Sequence, residues 1–325
     1  MKIAINGFGR IGRMTLRALQ DKHDIEVVAI NDLTDLQTLI HLLKYDSAHG
    51  RFPGTVAEED GAMLVNGKKI KLLSERDPKN LPWGEFGIDV VIESTGRFTD
   101  KSAAQAHIDA GAKKVLITAP ATGGIKTIVH GVNDQLIGGD QIYSTASCTT
   151  GSIAPVLYIL DKEFGIESGY MATVHAFTAD QHLQDAPHKD LRRARSAPHS
   201  IIPTTTGAAK AIGDVLPELK GKLDGFSYRV PVIDGSIVDL SINLKQEVSA
   251  KDLNAIIKQY ADNSLKGILQ YTEEQFVSAD ILGNTHSSIV DGNLTKSIGK
   301  LVKVVAWYDN EVGISNRIAE LVSIL

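Results

Sequence analysis

The stretch Lys2-Ile-Ala-Ile-Asn-Gly-Phe-Gly-Arg-Ile-Gly12 decides the fold. Lys2 to Asn6 is a short apolar run that reads as a strand, and Arg10 to Gln20 reads as a helix. Between them Gly7, Gly9 and Gly12 form a G-x-G-x-x-G, in which each glycine has its own task. These are the tight turn, the close approach to a pyrophosphate, and helix–strand packing. The helix N-terminus at Arg10 and Ile11 then faces the negative phosphates of a dinucleotide. A second strand, Ile25–Asn31, ends at Asp32, where a carboxylate meets the adenosine ribose hydroxyls. Asp32 would repel a 2′-phosphate, so the pattern favours NAD over NADP. A plain glycine turn, with Asp32 capping a helix that starts at Leu33, is the other reading of these residues.

Outward from this stretch the chain alternates strand and helix. A helix is expected over Leu33–Tyr45, and Asn66-Gly67 marks a hairpin between Met63–Val65 and Ile70–Leu73. Strands follow at Asp89–Glu93, Lys114–Thr118, Thr127–Val132 and Gln141–Ser144, with a helix over Lys101–Ala110. Such alternation predicts a Rossmann-type, doubly wound parallel sheet in an α/β fold. After Cys148 the texture changes. Gly169–Phe177, Phe226–Val232, Ser236–Leu244 and Leu301–Tyr308 read as longer, alternating strands, interleaved with helices at Ala208–Val215 and Lys251–Tyr260. That predicts an α+β catalytic domain with a mostly antiparallel sheet. The expected boundaries are 1–147 for the nucleotide domain and 148–311 for the second, with a terminal helix over 312–325 returning to the first. Ala179–Ser200 is a long polar segment of the kind used at sites or interfaces.

At 325 residues the chain can bury a full core. A formal net charge of −5 argues against nucleic acid as the main partner. No apolar run is long enough to span a membrane, and a strand starting at Lys2 leaves no room for a leader, so a cytoplasmic setting is expected. No pattern calls for a metal.

The single cysteine, Cys148, lies in Ser144-Thr-Ala-Ser-Cys-Thr-Thr-Gly151 and can form no internal disulfide. The apolar segment Ser152–Leu160 behind it reads as a helix with Pro155 in the first turn. A thiol at a helix N-terminus gains nucleophilicity from the dipole, whereas a free cysteine is also often inert packing.

The chain resembles the phosphorylating, NAD-dependent glyceraldehyde-3-phosphate dehydrogenases over essentially its whole length. The resemblance is carried by Asn6–Gly12, Lys44–Phe52, Glu93–Phe98, Ala146-Ser-Cys-Thr-Thr150, Ile201–Lys210, Leu216–Leu223, Tyr228–Pro231 and Trp307-Tyr-Asp-Asn-Glu311. It implies oxidation of D-glyceraldehyde 3-phosphate, with inorganic phosphate and NAD, through a thioester, by a glycolytic homotetramer. Cys148 is then the nucleophile, and His175, 27 positions later, the base. Thr178 and Arg229 would hold the substrate phosphate, with Asp180 supporting Arg229. Ser147, Thr149, Arg193, Thr206 and Gly207 would form the inorganic phosphate site. Asn310 would read the nicotinamide carboxamide, while Arg76 and Thr118 would line the cofactor groove. Ala179–Ser200 corresponds to the loop at the family's tetramer core.

The sequence also departs from the family. Gly151 and Ser152 stand where Asn and often Cys follow, Val312 and Ile314 replace common aromatics, and Val232-Ile-Asp-Gly235 replaces Thr-Pro-Asn-Val. None removes a reacting group. An erythrose-4-phosphate dehydrogenase of the same superfamily, or a non-catalytic surface- or RNA-interacting protein on the same fold, is the alternative.

Overall fold

The computed structural model describes residues 1–325, which divide into two compact units. The first comprises Met1–Ile128, Asp134–Ala146 and Ser315–Leu325; the second comprises Val129–Asn133 and Ser147–Ile314.

The first unit is built on a nine-stranded sheet. Its order is Lys126–Thr127, Ile142–Ser144, Lys114–Ile117, Val90–Glu93, Lys2–Asn6, Glu26–Asn31, Lys68–Leu73, Ala62–Val65 and Val56–Glu59. The first seven pair in parallel, and the last two add an antiparallel edge through the Asn66-Gly67 hairpin. Asn66 and Gly67 both take positive φ, 49° and 79°, as a two-residue hairpin turn requires. Val90–Glu93 is buried at every position, and Lys2–Asn6 at all but the first, because helices cover both faces of a parallel sheet. Its core gathers Ala4, Ala29, Trp83, Val91, Val115 and Ile117. Lys2–Asn6 has Glu26–Asn31 on one side and Val90–Glu93 on the other, so the chain switches direction there. The crevice at such a switch is where α/β sheets bind ligands.

The second unit carries an eight-stranded, mostly antiparallel sheet. Along it lie Ile202–Thr205, Leu223–Val230, Ile166–Ala176, Ser236–Leu244, Leu301–Tyr308, Ser288–Asp291 and Leu269–Thr272, with Lys296–Ile298 also paired to Leu301–Tyr308. Ser236–Leu244 alternates buried and less buried positions, the mark of a sheet with two unlike faces. The fold class therefore matches the expectation from sequence.

Three local expectations are corrected. The second helix begins at Leu36, not Leu33, because Asp35 caps it by accepting the Thr38 N–H at 2.9 Å; Asp32 is free of that task. The strand expected over Thr127–Val132 stops at Thr127. Gly131 takes φ 81°, and Asn133 Oδ1 accepts the Val129 N–H, so the chain turns instead. The helix over the cysteine segment runs Cys148–Phe164, which places Pro155 in its interior rather than its first turn. Pro155 therefore leaves the Gly151 carbonyl without the usual N–H four residues on.

A Cβ at Gly12 would sit 2.3 Å from the Gly7 carbonyl oxygen, whereas one at Gly9 would meet nothing within 4 Å. Gly12→Ala should therefore destabilise the fold by about 1–3 kcal/mol, seen as a lowered melting temperature. Gly9→Ala should leave melting unchanged; equal melting of both variants would contradict this packing.

Candidate active site and cofactor groove

In the first unit, Gly7 and Gly9, Asp32, Arg76 and Ser94–Thr95 line a groove of about 790 Å³. The helix Arg10–Ala18 is entered from Gly9 with no side-chain cap and no acidic residue in its first turn. An uncapped helix start without acidic residues suits a negatively charged ligand. Gly12 lets the helix lie on the turn, as its contact with Gly7 requires. Asp32 accepts from the Phe8 N–H at 2.7 Å and the Thr34 N–H at 2.9 Å, one on each oxygen. Its remaining lone pairs suit ribose hydroxyls. These residues fit a dinucleotide.

The groove is braced from beneath. Glu93, 1% exposed, accepts from Asn6 Nδ2 at 2.5 Å and from the Thr95 amide at 2.8 Å, and meets His107 Nε2 at 3.0 Å. Trp83 Nε1 donates to His107 Nδ1 at 3.0 Å, which leaves Nε2 to donate to Glu93. Two predicted cofactor residues are used otherwise in this structure. The Arg10 guanidinium forks onto Asp46. Burial would raise the Asp46 carboxyl, but Arg10 and the His49 and Ala48 amides hold it at about 2. Thr118 turns both its N–H and its hydroxyl to the Glu93 carbonyl, at 3.0 and 3.2 Å.

In the second unit, Ser147 caps the helix by accepting the Thr150 N–H at 3.1 Å, so Cys148 becomes the first helical residue. Ala146 precedes the cap at φ 63°, a left-handed turn rare for a residue with a Cβ. Cys148 Sγ lies 3.5 Å from His175 Nε2. His175 Nδ1 is 2.7 Å from the Ala176 carbonyl oxygen, which only accepts, so Nδ1 carries the proton and Nε2 turns a lone pair to sulfur. Arg229 Nη1 donates to the same carbonyl at 3.2 Å and to Thr178 Oγ1 at 3.2 Å. It stands 3.3 Å from Nδ1 because His175 and Arg229 are register partners on parallel strands. Tyr308 packs edge-on to the imidazole at 5.9 Å and joins Thr149 and Thr173 through its hydroxyl, at 3.0 and 2.9 Å.

Burial pushes the Cys148 thiol up, and Arg229 and the Thr149 hydroxyl and amide only partly offset it, although the residue keeps some accessible surface. Burial, then the charge of Arg229, bring His175 down to about 3. Burial thus opposes the activation expected of a thiol at a helix N-terminus.

Arg193 lies near enough for its charge to lower both Arg229 and His175. It donates to Asp180 at 2.6 Å, to Thr204 Oγ1 at 2.9 Å and to the Thr205 carbonyl at 3.2 Å. Two of its five N–H donors remain for a ligand. Asp180 therefore hydrogen-bonds Arg193, and favours the Arg229 charge only through space. Thr206 caps the next turn by accepting the Ala208 N–H at 3.2 Å, and Gly207 leads the helix Ala208–Val215. The Thr149 hydroxyl faces the core. Asn310, 5% exposed, accepts at Oδ1 from Ser236 Oγ at 2.6 Å.

Sequence reasoning missed Tyr308, Ser236 and the buried acid pair Asp234–Asp309. Tyr308 and Ser236 were legible as facing positions on neighbouring strands, but only register puts them together.

Comparison with known proteins gives a consistent result. Residues 1–101 match the model of the glyceraldehyde 3-phosphate dehydrogenase NAD binding domain, and residues 147–310 that of the C-terminal domain. The glyceraldehyde-3-phosphate dehydrogenase of Mycobacterium avium is 55% identical over 333 residues, covering 100% of this chain and 98% of the relative. That of Geobacillus stearothermophilus is 55% identical over 324 residues, covering 99% and 97%. That of Mycobacterium leprae is 54% identical, covering 100% and 98%.

Burial, then the neighbouring Asp234, push Asp309 up to about 7, against the Val312 and Gly283 amides that lower it. The folded chain holds this proton to about pH 7, while an unfolded carboxyl releases it near 3.8. Between those values the folded state binds more protons, so stability falls as pH rises and levels off above about 7. Asp234→Asn should flatten that fall, measured as urea unfolding free energies at pH 5 and pH 8. An unchanged slope would show that the pair does not set this pH dependence.

Proposed function

The chain belongs to the glyceraldehyde-3-phosphate dehydrogenase family, and from that premise we propose that it converts D-glyceraldehyde 3-phosphate, inorganic phosphate and NAD into 1,3-bisphosphoglycerate and NADH. The observation that carries the reading is the Cys148–His175 contact at 3.5 Å, with Arg229 in register beside it.

NAD, when bound, accepts hydride. Everything else falls to the chain's own residues. Nε2 of His175 takes the Cys148 proton as sulfur bonds the aldehyde carbon, and the imidazolium returns that proton to the former carbonyl oxygen. Nε2 takes it again as the C–H electron pair departs as hydride, which leaves a thioester on Sγ. A phosphate oxygen then attacks the acyl carbon and the C–S bond breaks. Sulfur leaves with its electron pair and recovers the imidazolium proton, while the phosphate's own proton passes to solvent. One group serves as acid and base in turn.

Arg229 and Thr178 would hold the substrate phosphate, and Arg193 with Thr206 and Gly207 the attacking one. A dianion on Arg229 would cancel the positive charge that depresses His175, so substrate binding would raise the base toward working pH. Asp32 supports NAD over NADP, and Asn310 is assigned to the nicotinamide carboxamide.

We also assign a homotetramer and a cytoplasmic setting. The first is supported by the exposed Leu183, Leu191, Ile201, Tyr170 and Phe226 on the long loop and sheet of the second unit. The second is supported by a free thiol that the reaction needs reduced; no helix is long and apolar enough to cross a membrane.

NADH formation, followed while phosphate and aldehyde are varied, tests the reading through two variants. Arg229→Leu should raise KM for the phosphorylated aldehyde and spare non-phosphorylated glyceraldehyde. Arg193→Leu should chiefly weaken dependence on inorganic phosphate. Each should cost about 1.5–3 kcal/mol in its own step, roughly ten- to over a hundredfold. Equal losses with both aldehydes at every phosphate concentration would defeat the two-site assignment.

A further inference from the structure

Ser236 opens the strand Ser236–Leu244 and is fully buried. Its Oγ accepts the Ala176 N–H at 3.1 Å and lies 2.6 Å from Asn310 Oδ1. The amide oxygen can only accept, so the hydroxyl proton goes to Oδ1 while a lone pair holds the Ala176 amide. In this arrangement the Asn310 carboxamide turns its oxygen toward Ser236 and its NH₂ away from it. Ala176 thereby serves two functional side chains. Its carbonyl fixes His175 through Nδ1, and its amide fixes Ser236 and, through it, Asn310.

We propose that Ser236 is a positioning residue that locks the Asn310 amide with its NH₂ presented to the nicotinamide carboxamide oxygen. The inference rests on the assignment of Asn310 to that carboxamide. Without the hydroxyl, the Asn310 amide is free to turn over and offer its oxygen instead, which repels a carbonyl. The adenosine and pyrophosphate contacts lie on other residues and do not share this dependence. Ser236 therefore governs the nicotinamide end of the cofactor alone.

The test is equilibrium binding of NAD and of ADP-ribose, which lacks the nicotinamide, measured calorimetrically on the full chain. Ser236→Ala should weaken NAD about five- to tenfold, the scale of one buried neutral hydrogen bond, and leave ADP-ribose within twofold. Asn310→Ala should show the same selectivity, and the double variant should lose no more than Asn310→Ala alone. Ser236→Thr, which keeps the hydroxyl, should restore NAD binding. The rate of Cys148 alkylation by iodoacetamide should be unchanged in Ser236→Ala, which separates positioning from collapse of the unit. If Asn310→Ala weakens NAD selectively and Ser236→Ala does not, the positioning role is wrong while the Asn310 assignment stands. If Asn310→Ala affects both ligands equally or neither, the assignment itself fails and the inference with it. A uniform loss of both ligands in Ser236→Ala, or altered alkylation, would make Ser236 merely structural.

Discussion

The hydrogen bond from His175 Nδ1 to the carbonyl of its own neighbour, Ala176, is the constraint on which the second unit's chemistry depends. It is short, it lies at the end of a strand, and its acceptor cannot donate. It therefore fixes the imidazole tautomer and turns the Nε2 lone pair to the Cys148 sulfur. The neighbouring strand brings Arg229 to the same carbonyl by register rather than by a flexible loop. A cation held that close opposes a second positive charge on the ring, and desolvation acts in the same direction. Both effects favour the neutral ring.

The helix behind Cys148 meets this strand with its own constraint. Ser147 commits its hydroxyl to the Thr150 amide and sets where the helix begins; Ala146 adopts a left-handed backbone so that the cysteine is first in line. Tyr308 ties the helix to the sheet through Thr149 and Thr173 and packs against the imidazole. Its burial raises the phenol well above the ordinary range, so it remains a neutral linker. In the first unit the comparable brace is the buried Glu93 with His107, Asn6 and Thr95 around it.

The architecture was legible because two periodicities are written into the chain. Continuous apolar runs such as Val90–Ile92 announce a sheet covered on both faces, and the alternation of Ser236–Leu244 announces one that is not. The glycine turn was legible because Gly7 and Gly12 answer to backbone contacts that no side chain tolerates. The motif around Cys148 pointed to a nucleophile, but the upward push of burial on its thiol could not be read from the helix start. Burial arises only when the chain packs, and here it outweighs the charges and hydrogen bonds that favour the thiolate. Asp180 was read as a partner of Arg229 and is hydrogen-bonded to Arg193, because loop geometry rather than sequence decides which arginine a carboxylate meets. Short strands such as Ser288–Asp291 and Leu269–Thr272 carry too few residues to show a period; the first exists because Leu301–Tyr308 offers it an edge, and the second pairs on the first.

The central claim is that Cys148, served by His175, carries the acyl group. The most direct measurement is rapid mixing of the chain with NAD and glyceraldehyde 3-phosphate in the absence of phosphate, followed by acid quench and mass spectrometry of the cysteine peptide. The expected result is a burst of about one NADH per chain and a phosphoglyceroyl adduct on Cys148, discharged when phosphate is added, with the burst slowed by several orders of magnitude in His175→Asn. A full burst with Cys148 unmodified, or an undiminished burst rate in His175→Asn, would contradict it.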